Sequence, residues 1–432
     1  MINIPPKPTT ANEWLAYIEA LHPKSIAMGL DRVKIVANKL ALNPTFPIIT
    51  VAGTNGKGSV CTMLSHIYVQ AGYQVGCYTS PHLNRYNERV SVNLQAITDG
   101  DLCEAFAAVE AARDDVALTY FEMGTLAAMW HFCRQQLDIV ILEVGLGGRL
   151  DAVNVFEPAC SIVTTVDLDH MEFLGDTREK IGFEKAGVFR ANKLAICGDE
   201  NPPASLIDHA TKVGATLKLI QRDFQIKKTQ TGWHYSSENM QLQLSLLGLM
   251  GDFQLNNAAC VLRAVQALHA ILPVADASIN EALRAVRLTG RFQQIHTMPT
   301  IFVDVAHNPQ AAQSLAHNLQ MSGCSGCTLA VFAMLADKDI DGVIGAVAPL
   351  ISQWYVADIN AVRGAKANDL QHKLLKYTNN AAIHLYLDVT HAIDSAYKSA
   401  AKNDRIIIFG SFYTVADAVA SKFNNLHDEK IN

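Results

Sequence analysis

No apolar run in this 432-residue chain approaches the roughly 20 residues that a membrane-crossing helix needs. The opening MINIPPKPTT lacks the apolar core of a secretory signal. The expectation is a cytoplasmic protein with no membrane partner. Excess positive charge is also missing: 35 Lys and Arg stand against 41 Asp and Glu, a net charge of −6. The chain as a whole therefore offers little to a nucleic-acid backbone, and no nucleic-acid partner is expected. Low-complexity tracts and internal repeats are absent. The nine cysteines are odd in number and scattered, which fits reduced thiols rather than a disulfide framework. Cys324 and Cys327 form a close pair, but no second pair follows at a finger-like distance, so no zinc site is expected. What the chain does have is apolar residues, half of the total, with only 18% charged. At roughly 150 residues per domain it has length for two or three domains, each able to bury a core without staples.

Strand and helix patterns alternate. Residues 47–52 (PIITVA), 138–144 (DIVILEV) and 160–166 (CSIVTTV) are apolar runs of the kind buried on both faces of a parallel sheet, and 75–79 is a further strand candidate. Helical spacing covers 59–71, 102–113, 121–134, 256–270 and 279–287. Residues 215–250 read as a small β excursion. A second α/β run has strand candidates at 300–305, 328–333, 354–357 and 405–409. The polar stretch 287–297 is taken as the connection, giving domains 1–290 and 291–432. The fold class is α/β with mostly parallel sheets.

Chemistry-bearing residues cluster where strands end. Gly53-Thr54-Asn55-Gly56-Lys57-Gly58-Ser59 lies between a strand and a helix. Small residues there let backbone N–H groups close around phosphate oxygens, and the helix start adds positive potential. Lys57 is placed for β- and γ-phosphate charge and Ser59 for a metal ion. The loop departs from the common phosphate-loop pattern, with Val51 for the first Gly and Gly58 between Lys57 and Ser59. Glu143 ends a second apolar run and can hold Mg²⁺. His170, in Asp167-Leu168-Asp169-His170, follows a third. Arg291 in Gly290-Arg291-Phe292, and Asp304 in Asp304-Val305-Ala306-His307-Asn308-Pro309, are candidates for a phosphate and for a ribose or adenine group. Spacing alone gives Lys185 no role.

Together these segments resemble the Mur ligase superfamily, most closely its bacterial dihydrofolate synthase/folylpolyglutamate synthase branch. The likeness runs through GLDRV (29–33), the GTNGKGS loop, SPHL (80–83), RYNER (85–89), LTYFE (118–122), EVGLGGRLDAVN (143–154), DLDH with Leu174-Gly175, EKAG (184–187), GRFQ, DVAHNP, DKD (337–339) and GSF (410–412). It implies a Mur-ligase-like N-terminal ATPase domain with the phosphate loop, a smaller Rossmann-like C-terminal domain, and ATP in the cleft between them. The implied activity is ATP-dependent addition of L-glutamate to dihydropteroate and to folates through an acyl phosphate, by a monomer. The implied catalytic residues are Lys57, Lys185, His170 and His307. Gly53 to Ser59, Asn257, Arg291 and Asp304 match nucleotide contacts. Ser80, Glu143, His170 and Lys185, the last as a carbamate, match ligands of two magnesium ions. Ala27, Met28, Thr119, Tyr120, Phe121, Glu122, Arg149, Leu150, Asp151 and Ala152 match the substrate-binding segments. Ala27-Met28 departs from the Asp-Leu common in close bacterial enzymes, so a pterin contact there is expected to be altered or supplied by backbone. Competing readings are another amide ligase of the superfamily, which would carry a further N-terminal domain of roughly a hundred residues for a UDP-sugar, and a nucleotide-dependent binding protein without a ligase step.

Overall fold

The computed structural model of the chain describes residues 8–24, 26–378 and 381–421. The chain divides into two compact units, Met1–Leu247 with Leu255–Val286, and Gly248–Gln254 with Arg287–Asn432. No helix among the described residues is long and apolar enough to cross a membrane.

Eight strands of the first unit form one sheet: β1 (Ile48–Ala52), β2 (Val75–Tyr78), β3 (Val90–Val92), β4 (Gln95–Ala96), β5 (Ile139–Glu143), β6 (Cys160–Val163), β7 (Leu194–Cys197) and β8 (Thr216–Leu219). Their order is β4-β3-β2-β5-β1-β6-β7-β8. Neighbours from β2 to β8 run parallel, while β3 and β4 add an antiparallel edge. Every residue of β1, β2, β5 and β6 is buried, which is why these strands read as unbroken apolar runs. β1 pairs with β5 on one side and β6 on the other, with Val51 level with Glu143 and Ala52 level with Val163. The segments leaving these three strands therefore emerge side by side, at the switch point where open α/β sheets bind ligands. The helix after β1 (Lys57–Gln70) begins two residues earlier than its apolar spacing indicates, because Gly56, with φ of 90°, turns the chain directly into it.

The β excursion resolves into two parts. β8 joins the main sheet, whereas β9 (Phe224–Lys228), β10 (Gly232–Ser237) and β11 (Met240–Ser245) form a separate antiparallel sheet. Trp233 and Tyr235 face inward there while His234 is exposed between them.

The second unit holds β12 (Gln293–Thr297), β13 (Thr300–Asp304), β14 (Thr328–Phe332), β15 (Gln353–Ala357), β16 (Ala382–Tyr386) and β17 (Arg405–Phe409) in the order β12-β13-β17-β14-β15-β16. All pairs but β12–β13 are parallel. The stretch 287–297, expected as a polar connection, instead contributes edge strand β12. Phe332, Trp354 and Phe409 anchor this core, with ring centroids 5.0 to 6.3 Å apart. Asp304 lies level with Phe409, which sets it beside the Gly410-Ser411 turn.

Candidate functional site

Backbone geometry at residues 53–59 follows from three small residues and two threonines across the sheet. Thr54 N–H donates to Thr165 O (2.8 Å), and the Thr54 hydroxyl accepts from Asp167 N–H (2.9 Å). Thr165 Oγ1 accepts from Asn55 N–H (3.1 Å), and Thr164 Oγ1 donates to Asn55 O (2.5 Å). The loop is thus tied to the end of β6, with Lys57 Nζ folded back onto Gly53 O (3.0 Å) and Thr54 O (3.2 Å). A Cβ on Gly53, whose φ is 145°, would lie 1.8 Å from Thr164 Oγ1. A Cβ on Gly56 would lie 2.4 Å from Asn257 Oδ1, so Asn257 rests against the loop. Gly53→Ala should therefore displace the loop: backbone strain alone costs about 1–3 kcal/mol. Titration with a fluorescent ATP analogue should show at least about a tenfold loss of affinity, equal to 1.4 kcal/mol of that strain.

Three donors stand at the neighbouring strand ends. Glu143 is buried, and its Oε2 accepts from Ser80 N–H at 3.0 Å. His170 takes a left-handed backbone conformation (φ 50°), and Asp169 Oδ1 accepts its N–H at 2.9 Å. Ser59 Oγ is buried with no hydrogen-bond partner among the described residues, an orphan that a phosphate-bound metal or its water would satisfy. Among the described residues no group of three or more His, Cys, Asp and Glu gathers as a closed metal cage. That donor set fits Mg²⁺, which keeps water and phosphate oxygens in its shell and takes few protein ligands.

Lys185 is buried, with no carboxylate in ion-pair range among the described residues. Burial first, then the charge of Lys57, pull its ammonium down to about 7, against the opposing pull of Asp169 and Asp151. The 145–151 loop packs closely on the helix that carries it: Arg149 N–H donates to Glu184 O (2.8 Å), and a Cβ on Gly187 would lie 2.3 Å from Arg149 Cβ. Burial pushes the Asp151 carboxyl up to about 7, although both its oxygens accept backbone N–H groups, from Leu146 (2.8 Å) and Val153 (3.1 Å).

The segments matched to substrate binding meet in the same unit. Gly29 N–H reaches Leu150 O (3.4 Å), two residues before Ala152, and a Cβ on Gly147 would lie 3.8 Å from Met28 Cε. Phe121 covers Gly145. Thr119 caps the helix Tyr120–Cys133 in a reciprocal pair with Glu122. The Glu122 carboxylate also pairs with Arg32 (2.8 Å), whose Nη2 donates to Ala27 O (2.6 Å). Thr119 and Glu122 are thus engaged with each other in the cap, and Glu122 with Arg32. Arg149 is likewise bound to Glu184 (2.8 Å) rather than a free cation. Sequence reasoning missed the Thr164-Thr165 clamp and the Arg32 bridge; the one signal for the former is a pair of hydroxyls closing an apolar strand.

In the second unit Asp304 accepts from Phe292 N–H and Ala306 N–H, both at 2.8 Å. Burial pushes its carboxyl up to about 6 while Arg291 opposes. The Arg291 guanidinium carbon lies 5.8 Å from the Phe412 ring centre, and the His307 ring lies 6.1 Å from it. His307 Nδ1 sits 2.8 Å from Val305 O, an acceptor, so Nδ1 carries a proton.

Residues 51–265 match the Mur ligase middle domain, and residues 290–412 match the Mur ligase glutamate ligase domain. The dihydrofolate synthase/folylpolyglutamate synthase of Escherichia coli K12 is 42% identical over 404 residues, covering 93% of each chain. Structurally, the chain resembles E. coli FolC in complex with DHPP and ADP, with a TM-score of 0.91, 40% identity and coverage of 96% of this chain and 98% of that one. A bifunctional folylpolyglutamate synthase/dihydrofolate synthase with Mn, AMPPNP and L-glutamate bound gives a TM-score of 0.88 and 41% identity, covering 96% and 98%.

Proposed function

Because the chain belongs to the Mur ligase family, in its dihydrofolate synthase/folylpolyglutamate synthase branch, we propose that it joins L-glutamate to dihydropteroate and to reduced folates at the expense of ATP. The observation that carries this reading is the convergence of the Gly53–Ser59 loop, Glu143 and the 164–170 segment on the ends of three adjacent strands, with Lys185 buried within electrostatic reach of Lys57.

A carboxylate resists amine attack because its leaving group is poor. Transfer of the ATP γ-phosphoryl group to a carboxylate oxygen releases ADP and gives an acyl phosphate. The neutral glutamate amine then attacks the acyl carbon, and inorganic phosphate departs as the amide forms. Lys57 offsets charge on the transferring phosphoryl, and the loop N–H groups orient it. Mg²⁺ held by Ser80, Glu143, His170 and a carbamate on Lys185 would add charge stabilisation and link the phosphates to the protein. Asn257, Arg291 and Asp304 are assigned to the nucleotide, and His307, through Nε2, to the reacting end of the substrates. The Ala27–Gly29, Thr119–Glu122 and Leu150–Ala152 segments receive the pterin. Ala27 O is already engaged by Arg32, which leaves the backbone of Met28 for that contact.

We read the enzyme as a monomer of the cytoplasm; its nine free cysteines support the reducing compartment. ADP release from the purified chain tests the reaction. Dihydropteroate with glutamate, and tetrahydrofolate with glutamate, should each support turnover. A UDP-sugar peptide acceptor should not; turnover with that acceptor alone would assign the chain to a different ligase activity.

A further inference from the structure

A cation beside these segments has no place in the scheme above. Arg89 directly precedes β3, and its carbonyl accepts from Thr79 N–H (2.8 Å), one residue before Ser80. Its side chain is held by three groups, none of them an anion. Nε donates to His82 Nδ1 at 2.9 Å, and the guanidinium carbon lies 5.0 Å from the Tyr86 ring centre and 5.6 Å from that of Tyr120. The two tyrosine rings meet edge to face at 5.6 Å. Because Arg89 Nε–H is the donor, His82 Nδ1 is the accepting nitrogen, and the imidazole orients the guanidinium without competing for an anion.

Other arginines nearby have carboxylates: Arg85 pairs with Asp99, Arg32 with Glu122 and Arg149 with Glu184. Among the described residues no carboxylate pairs with Arg89, and its two terminal nitrogens have no acceptor. A half-buried guanidinium set against two aromatic rings, with its fork unfilled, is built for a planar bidentate anion. Its position narrows the choice. Tyr120 leads into Phe121, which covers Gly145, two residues beyond Glu143, while Ser80 N–H donates to Glu143. Arg89 thus stands between the aromatic wall at Tyr120-Phe121 and the Ser80–Glu143 end.

We propose that Arg89 is the receptor for a substrate carboxylate, with His82 as the positioning residue that aims its fork. The inference rests on the ligase reading and adds the residue that recognises the anion. Two substrates carry such a group: the aryl carboxylate of dihydropteroate and the α-carboxylate of glutamate.

The test compares wild type, Arg89→Gln, Arg89→Lys and Arg85→Ala as full-length chains. The readouts are the Kd for dihydropteroate and for its analogue with hydrogen in place of the carboxylate, KM for glutamate and for ATP, and the thermal midpoint. Arg89→Gln should weaken one carboxylate ligand by about 10- to 100-fold, the usual range for a lost charge-assisted bond, and leave ATP KM within about twofold. Arg89→Lys should recover part of the loss, because it keeps the charge without the fork. Arg85→Ala should match wild type. A change confined to dihydropteroate, and absent with the decarboxylated analogue, identifies the aryl carboxylate; a change confined to glutamate KM identifies the amino acid. The proposal is overturned if both carboxylate ligands keep wild-type values in Arg89→Gln, or if ATP, analogue and thermal midpoint all fall together in both Arg89 variants. Absence of acceptor-dependent ADP release in the wild type overturns the ligase reading, and this proposal with it.

Discussion

Lys57→Ala is expected to cut ADP formation by at least 10²–10³-fold, on the order of what removing one preorganised donor from a developing charge costs. The fold should survive. The loop is pinned to β6 through Thr54, Asn55, Thr164 and Thr165, and none of those bonds involves Lys57. What is lost is the loop's lysine charge, which we propose meets the γ-phosphate, and two bonds to the loop's own carbonyls. A second consequence follows from electrostatics. The Lys57 charge is one cause of the lowered ammonium at Lys185, so its removal should move Lys185 upward and leave less neutral amine at pH 7. Acceptor-dependent ADP release checks the first effect, and ¹³C NMR with labelled bicarbonate checks the second. A variant retaining more than about a tenth of wild-type turnover would remove Lys57 from the phosphoryl step, since that loss amounts to only 1.4 kcal/mol.

The parallel core was legible because strands buried on both faces have no polar positions to interrupt them, as in IITVA and IVILE. The phosphate loop was legible because two glycines with positive φ must stand where side chains would strike Thr164 and Asn257. Edge elements were not. β3 and β4 are short, and most residues of β3, β4 and β12 are not buried, so their composition resembles that of loops. The helix Ala11–Ala20 did carry a signal, since Thr10 and Glu13 close a capping box. The site shows the same division. Residues at the ends of buried strands, Glu143 among them, could be placed from the run that precedes them. Lys185 could not: its helix spacing is ordinary, and its character comes from burial beside Lys57, Asp169 and Asp151, which only the folded chain assembles. His82 lies in SPHL (80–83) and Arg89 in RYNER (85–89), yet their pairing depends on the antiparallel turn between β2 and β3.

Lys185→Ala should lower kcat by about 10²-fold or more, the range for loss of a metal-supporting group, while the thermal midpoint stays near wild type because no ion pair is broken. The physical basis is the lowered ammonium. A carbamate forms only from the neutral amine, which loses its proton to become a nucleophile for CO₂. With the ammonium lowered to about 7, a substantial share of Lys185 is neutral at pH 7; an ordinary lysine near 10.4 would be neutral in fewer than about one molecule in a thousand. The sign is fixed by that shift: below pH 7 the neutral fraction falls about tenfold per unit, so wild-type activity in bicarbonate-limited buffer should decline on the acid side and recover with added bicarbonate. Lys185→Arg separates charge from chemistry. It keeps a cation at the position but has no amine that can be carbamylated, so it should be as impaired as alanine and indifferent to bicarbonate. Acetate should rescue alanine in part, by supplying a carboxylate where the carbamate would stand. Full turnover of Lys185→Arg in bicarbonate-free buffer would show that an anion at this position is not required, and the second metal site would then have to be sought among Glu143, His170 and Asp169 alone.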